Sequence, residues 1–442
     1  MKPSILFKNI HVISAVPDPL LPWLSMENAW VAIKDGLISC VSDNRQDAAE
    51  TLDGSDYSEY DGRHKLLMPA LANLHGHIPM TLFRNQADDT NLHDWLFNVI
   101  FPREAKLDEA MVSKGTRLGL AEMIRSGTGA AADMYYHHEA AASAAQEAGL
   151  RLNFCCDCKS KDASGKDQVQ QALLEQAMKL AEQAPDDLLR ASMLVHSVYL
   201  YEADVYPQLA QLAESLNCPV QVHVSETRKE VVDCLQKYGQ RPPKQLADFG
   251  FFKTSTLAAH CIHLDDEDRQ ILASPTITCV HNPASNLKLG SGFADLRAMM
   301  NADIQLGLGT DGAASNNNLD LFRDMRLAAF LAKGLSGDAG MMSAETILRM
   351  ATVDGMQGLG FDQSGLIAEG FAADLQVIDL NQIELTPLGN PVSALVYSGS
   401  GSYVESLMVA GRWLMEKREL KTLDEEKVIF EAGQASEWLN QF

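Results

Sequence analysis

No stretch of the chain approaches the roughly 18 consecutive apolar residues of a membrane-spanning helix, so a transmembrane segment is not expected. The start, MKPSILFKNIHVI, has neither a long apolar core nor a small-residue cleavage site, and does not read as a signal peptide. Positive charge is in deficit: 36 Lys and Arg stand against 59 Asp and Glu, a formal charge of −23. Phosphates would be repelled, so neither a nucleic acid nor an anionic membrane is an expected partner, and solubility is the plain reading of the charge. Cysteine is present but unframed. Its eight positions, 40, 155, 156, 158, 218, 234, 261 and 279, show no disulfide spacing. Buried free thiols in a reducing cytoplasm are the expectation. The Cys155-Cys156-Asp157-Cys158 cluster has no second cysteine or histidine cluster at finger-like spacing, which argues against a soft-metal site. Internal repeats and low-complexity segments are absent as well.

What is there is an ordinary globular composition, 46% apolar and 21% charged over 442 residues. Residues 1 to about 62 read as short strands (5–13, 29–33 and 37–41) with the turn Lys34-Asp35-Gly36, followed by an acidic loop over 42–61. The pattern then changes. Short apolar runs at 66–74, 129–134, 151–155, 192–196, 220–223, 256–260, 276–280 and 304–309 alternate with helical stretches at 108–126, 138–148, 167–183, 203–216, 228–238, 265–272, 293–301 and 319–332. Strand followed by helix, repeated around, predicts an α/β fold with a parallel (β/α)₈ TIM-like barrel. Beyond it, 366–378 and 394–414 return to strand-and-turn character. Each terminal β piece is too small for its own core, so the two are expected to pair into one composite β-sandwich. The domain bounds read from this pattern are 1–63 and 365–420 for the sandwich, 64–364 for the barrel and 421–442 for a C-terminal helix docking through Ile429, Phe430 and Trp438.

Barrel active sites lie at the C-terminal ends of the strands. Five of the 12 histidines fall at such ends: His75 and His77 after strand one, His196 after four, His223 after five and His260 after six. Asp311 follows strand eight. At a strand's period of two, His75 and His77 of LLMPALANLHGH project to the same side, with Gly76 leaving room between them. His75, His77 and His223 with Asp311 would offer one divalent ion an open, catalytic ligand set. The competing reading of Asp311 is a turn aspartate in an Asp-Gly pair. Glu226, three residues past His223, suits a proton carrier over the same pocket, although a helix-entry carboxylate is the alternative. His260 closes its apolar run, whereas His263 and His281 read as loop histidines. Ser315 and Asn316 follow Asp311 in a loop suited to a polar ligand. A two-metal centre would want a carboxylate or modified lysine after strand four, and SMLVHSVYL offers His196 instead, so one metal per chain is expected.

The segments MPALANLHGHIPMTLFRNQADD, HVSETRKE, AAHCIHL, HNPASNLKLGSG, LGTDGAASNNNLDLF and GLIAEGFAADLQVIDL, in this order, resemble the amidohydrolase superfamily over nearly the whole chain. Within it the chain is similar to the S-adenosylhomocysteine/5′-methylthioadenosine deaminase group. The resemblance implies a distorted barrel with a composite β-sandwich, and zinc (iron(II) or manganese(II) being accepted by the same donors) on His75, His77, His223 and Asp311. It casts Glu226 as the shuttle that protonates the substrate's ring nitrogen, and His260 with Asp311 as the pair that orients or deprotonates the attacking water. It further assigns Glu104 to ribose hydroxyls, His196 to the nucleoside, and Trp95 and Ser315 to the pocket wall; a surface helix-entry charge is the competing reading of Glu104. Barrels of this group are often dimers or larger, so a homo-oligomer is among its implications. The implied reaction is hydrolytic deamination of an adenine-type nucleoside, with a guanine, pterin, cytosine or s-triazine ring as the alternative substrate.

Three positions depart from the family pattern. Pro69-Ala70 stands where Pro-Gly is usual, from which only a small backbone adjustment is expected. Val198 replaces the proline usual after the strand-four histidine, a change expected to alter a pocket loop. The stretch FCCDCKSKDASGK lacks the arginine that members use to grip an amino-acid tail, and Lys159, Lys161 or Lys166 would be a weaker, non-bidentate substitute.

Overall fold

Eight parallel strands stand side by side in chain order: Leu71–Asn73, Thr128–Asp133, Arg151–Cys156, Leu189–Val195, Val220–Val224, Thr256–His260, Ile277–His281 and Gln305–Leu308. They are seen in a computed structural model that describes residues 2–16, 21, 23–86, 88–162 and 164–441. Met1 and Phe442 at the expected domain ends, and Ala87 and Ala163 within two of the quoted segments, lie outside the described residues. Each strand overlaps an apolar run read from the sequence, because a strand covered on both faces must be apolar or small throughout, as in the wholly buried Thr128–Asp133. The ring closes without a ladder between its last and first strands. There Leu74 N–H donates to the Leu308 carbonyl (2.9 Å), and Asn73 exchanges bonds with Thr310 (2.7 and 3.0 Å). That seam is the barrel's distortion.

The helices between strands start where the sequence supplies caps. Asp108 accepts from Met111 N–H ahead of Glu109–Arg125, Thr227 from Glu230 N–H ahead of Arg228–Tyr238, and Asp265 forms a capping box with Asp268. The helix read as 167–183 begins only at Gln171, because Asp167–Val169 pairs with Lys159–Lys161 as a small hairpin.

The first run, 66–74, is not one strand. Lys65–Pro69 pairs with Ser4–Ser14 and Leu375–Asp379 in a second sheet, and only Leu71–Asn73 joins the barrel. The switch falls after Pro69, which has no N–H for a ladder. Ala70 N–H turns to the Asp374 carbonyl and Leu71 N–H to the Gly127 carbonyl, both at 2.9 Å. Ala70 is accommodated because Gly129 faces it: a Cβ on Gly129 would lie 2.7 Å from that of Ala70.

The terminal segments build one composite nine-stranded sheet, as expected. Ser4–Ser14, Leu24–Lys34, Leu37–Ser42, Tyr57–Asp61 and Lys65–Pro69 come from one end, and Leu375–Asp379, Val404–Val409, Arg412–Glu416 and Glu419–Leu420 from the other. Phe7, Val31, Leu67, Val377 and Met408 share a core across the two halves. Four details differ from the sequence reading. The acidic stretch 42–61 holds a helix, Arg45–Glu50, capped by Asn44, as well as a strand. Only Leu375–Asp379 of 366–378 is a strand. Residues 391–397 are helical, since Asn390 caps the turn that Pro391 opens. The C-terminal helix, Glu425–Leu439, docks through Val428, Ala432, Ala435 and Leu439, leaving Ile429 and Phe430 59% and 63% exposed and Trp438 37%. Its two alanines permit close approach to Glu109–Arg125, and bulky residues face outward instead.

No helix among the described residues is long and apolar enough to cross a membrane. Barrel and sheet are tied by a buried ion pair: Arg151 Nε lies 2.6 Å from Asp374 Oδ2, while Ser364 and Ala410 N–H also bond that carboxylate. Burial opposes ionisation of Asp374, but the charge and hydrogen bonds of Arg151 outweigh it and hold the carboxyl below its ordinary range. Asp374→Ala strands the buried guanidinium and is expected to cost about 3–5 kcal/mol in urea unfolding. With the folded carboxyl titrating below its unfolded value of about 3.9, this contribution is complete above that pH and lost only as acid passes the folded value. The gap between variant and parent should therefore be flat at neutral pH and shrink in stronger acid.

Candidate active site

His75 and His77 stand beyond Asn73, where the first barrel strand stops, so they are loop residues rather than the strand residues expected. They are nevertheless fixed. Asp311 N–H donates to the His75 carbonyl and Met134 N–H to the Gly76 carbonyl, both at 2.9 Å. His223 lies within the fifth strand, His260 ends the sixth, and Asp311 follows the eighth. Ser225, His260 and Asp311 take positive φ angles of 50°, 73° and 63°, a backbone strain that concentrates at sites where side chains are aimed. Gly309 is required by close approach: a Cβ there would lie 2.4 Å from Asn282 Oδ1 and 2.9 Å from His75 Cβ.

The imidazoles are arranged as cation ligands. His77 Nδ1 donates to the Met134 carbonyl (2.6 Å) and His223 Nδ1 to the His196 carbonyl (2.7 Å). A carbonyl can only accept, so these protons leave lone pairs on both Nε2 atoms, which face each other at 3.3 Å. Asp311 Oδ1 lies 3.5 Å from His75 Nε2 and 3.4 Å from His77 Nε2. Donors about 2.0–2.1 Å from a tetrahedral ion stand roughly 3.3–3.4 Å apart, so the spacing fits a single small cation. His75 Nε2 is also buried without a hydrogen-bond partner. Burial pushes His75 down to about 4, only partly opposed by Asp311, and takes His77 and His223 down as well, which keeps the rings neutral. Burial opposes the charge on Asp311, yet His75 beside it and the other histidines around it hold the carboxyl well below the usual range.

Glu226 and His260 meet beside this cluster, with Oε2 3.8 Å from Nε2. Burial raises the Glu226 carboxyl, the Asp311 charge adds to that, and His260 and Ser291 counter it. Burial lowers His260, but Glu226 and Asp311 together raise it above its ordinary value. His263 bonds the Ser291 carbonyl at 2.8 Å, a loop role. His281 is buried outside the cluster, with both ring nitrogens unpartnered.

A cavity of about 40 Å³ lies over the cluster, walled by Met80, Trp95, Phe101, Glu104, Tyr135 and His196. Loss of hydration pushes Glu104 up to about 7, with the Tyr135 phenol pulling the other way. Burial takes His196 down to about 3, helped by the neighbouring histidines, and its Nδ1 is unpartnered. Trp95 Nε1 is likewise buried without a partner. Ser315 is not part of the wall: its hydroxyl donates to the Gly312 carbonyl (3.1 Å). Asn316 bonds the Thr310 carbonyl (2.8 Å) and Asp324 (3.1 Å), shaping the loop. Lys159 is matched by Asp157 (3.2 Å) and packs over Tyr201, and Lys161 is matched by Asp167 (2.6 Å). Val198 is buried, and the loop around it is held by Tyr201 and Tyr206, whose hydroxyls bond His196 N–H and the Ser197 carbonyl.

The sequence reading missed Tyr135 and Tyr136, although they follow strand two at its C-terminal end, where the same rule would have found them. It also missed Tyr199 and Leu289, although both lie within segments quoted above, SMLVHSVYL and HNPASNLKLGSG. His223→Ala and Asp311→Ala are each expected to reduce bound metal to a small fraction of the parent's, read by elemental analysis after dialysis.

Comparison with known proteins agrees with this geometry. Residues 66–414 match the model of the Amidohydrolase family. A 5-methylthioadenosine/S-adenosylhomocysteine deaminase of Acetivibrio thermocellus is 41% identical over 430 residues, covering 97% of each chain. One of the same name from Dictyoglomus thermophilum is 40% identical over 431 residues, again 97% of each. Among solved structures, an adenosine deaminase from Xanthomonas campestris with bound zinc superposes with a TM-score of 0.90 at 32% identity, covering 99% of both chains. The chain belongs to the amidohydrolase family.

Proposed function

We propose that this chain is a metal-dependent hydrolase that removes the ring amino group of an adenine nucleoside of the 5′-methylthioadenosine/S-adenosylhomocysteine class and releases ammonia. The observation that carries the reading is Glu226 facing His260 at the edge of the cation-ligand cluster, both lining one cavity. A site that only binds has no need of two proton-handling groups there. The deaminase name shared by relatives at 40% and 41% identity supports the substrate class.

In this reading His75, His77, His223 and Asp311 hold one divalent cation, for which we assign zinc. When bound, it supplies the Lewis acidity that makes water nucleophilic near neutral pH. His260 and Asp311 orient the attacking water and take its proton. Glu226, whose carboxyl burial raises against the pull of His260, gives a proton to the ring nitrogen beside the amino-bearing carbon. A C–O bond forms, the exocyclic C–N bond breaks, and the nitrogen leaves with the relayed protons as ammonia. Trp95 and His196 flank the base, and Glu104 accepts from the sugar hydroxyls. Ser315 is left out, because its hydroxyl is engaged by Gly312. Among the described residues no lysine or arginine lines the cavity, so a neutral 5′ substituent suits it better than a carboxylate tail. We also take the chain to work in a reducing compartment, in keeping with its eight free cysteines, and as a homo-oligomer.

Metal-replete protein is expected to release ammonia from 5′-methylthioadenosine with loss of the adenine absorbance, and with a higher kcat/KM than from S-adenosylhomocysteine. Silence on both, with turnover of a guanine, pterin, cytosine or s-triazine compound, would move the assignment to another ring. Binding without turnover anywhere in that panel would make the chain a non-catalytic barrel. Glu226→Gln should lower kcat by about 10²- to 10⁴-fold, measured by ammonia release, while leaving metal content unchanged.

A further inference from the structure

One short segment touches all three of the proton-handling groups, and each from behind. The turn 282–291, built around the helix Pro283–Lys288, follows barrel strand seven. Ser285 donates to Asp311 Oδ2 (2.6 Å), leaving Oδ1 for His75 and His77. Asn286 Oδ1 accepts from His260 Nδ1 (2.8 Å), which leaves Nε2 toward Glu226. Ser291 donates to Glu226 Oε1 (3.2 Å), which leaves Oε2 toward His260. In each pair the far atom is gripped and the near atom faces the site, with Asp311 Oδ1 also accepting from Gly312 N–H (2.7 Å). All three gripping residues are buried.

The turn itself is held as a frame. Ser291 N–H closes on the Asn286 carbonyl (2.9 Å), the Ser291 carbonyl accepts from His263 (2.8 Å), and Ala284 N–H donates to Asp324 (3.2 Å). Three bonds from an anchored frame fix two carboxylates and an imidazole relative to one another, which independent contacts from three loops would not do.

We propose that the turn 282–291 is the positioning element of the reaction, with Ser285, Asn286 and Ser291 acting through Asp311, His260 and Glu226. None of the three touches the reacting atoms. The inference rests on the roles proposed above for those partners.

Holoenzyme variants test it. Ser291→Ala should lower kcat about tenfold, the weight of one buried hydrogen bond, with KM little changed. Ser291→Thr, which keeps the hydroxyl, should recover most of the loss. In the Glu226→Gln background Ser291→Ala should cost nothing further, because its partner's function is already gone. Asn286→Leu should lower kcat in the same way, and Asn286→Asp, which keeps an acceptor, should lose less. Ser285→Ala should weaken metal affinity about 10- to 100-fold in a chelator competition, with Ser285→Thr recovering it and Ser291→Ala leaving it unchanged. Parental kcat in Ser291→Ala, an equal loss in the Glu226→Gln background, or unchanged metal affinity in Ser285→Ala would overturn the proposal. Full turnover by Glu226→Gln would instead overturn the catalytic roles on which it stands.

Discussion

Two neutral imidazoles do not present lone pairs to each other at 3.3 Å in a dry interior unless a positive charge belongs between them. His77 and His223 are placed in that confrontation because the carbonyls of Met134 and His196 take their other ring protons. Asp311 adds a carboxylate to the same point, and His75 adds a buried nitrogen with no partner. The arrangement is unfavourable without a cation and favourable with one, and the backbone strain at Ser225, His260 and Asp311 serves it. A parallel barrel suits this because every strand's C-terminal end opens on one side. Residues more than 200 positions apart in the sequence thereby share a centre a few ångströms wide.

The composite sheet contributes to the site more than its distance suggests. Pro69 ends its pairing in the sheet, Ala70 makes the switch, and His75 follows five residues later. The first metal-binding loop is thus reached from a chain anchored outside the barrel. Asp374 secures that anchor twice, its carbonyl accepting from Ala70 N–H and its carboxylate holding Arg151 of the third barrel strand. The sheet and the start of the barrel are positioned by one buried residue.

Much of this was legible before any coordinates, and the failures have common causes. Barrel strands are legible because burial on both faces forces continuous apolar runs. The helix Pro391–Tyr397 was misread as strand because its apolar run outweighed the Asn390-Pro391 cap. The docking face of the C-terminal helix was misjudged because large apolar residues drew attention, while small alanines made the contact. Ser315 looked like a pocket residue on its position in the loop, but a neighbouring carbonyl had claimed its hydroxyl.

The amino-acid sequence alone determined the barrel class and the composite terminal unit, since these follow from the period of the apolar runs, and it marked His223, His260 and Asp311 as candidates because they stand at strand ends. Tertiary structure decided where the first run breaks between two sheets, which nitrogen of each histidine is free, and which far-off turn grips Glu226, His260 and Asp311. Those are matters of hydrogen-bond partners supplied from elsewhere in the chain, and no local pattern encodes the partner.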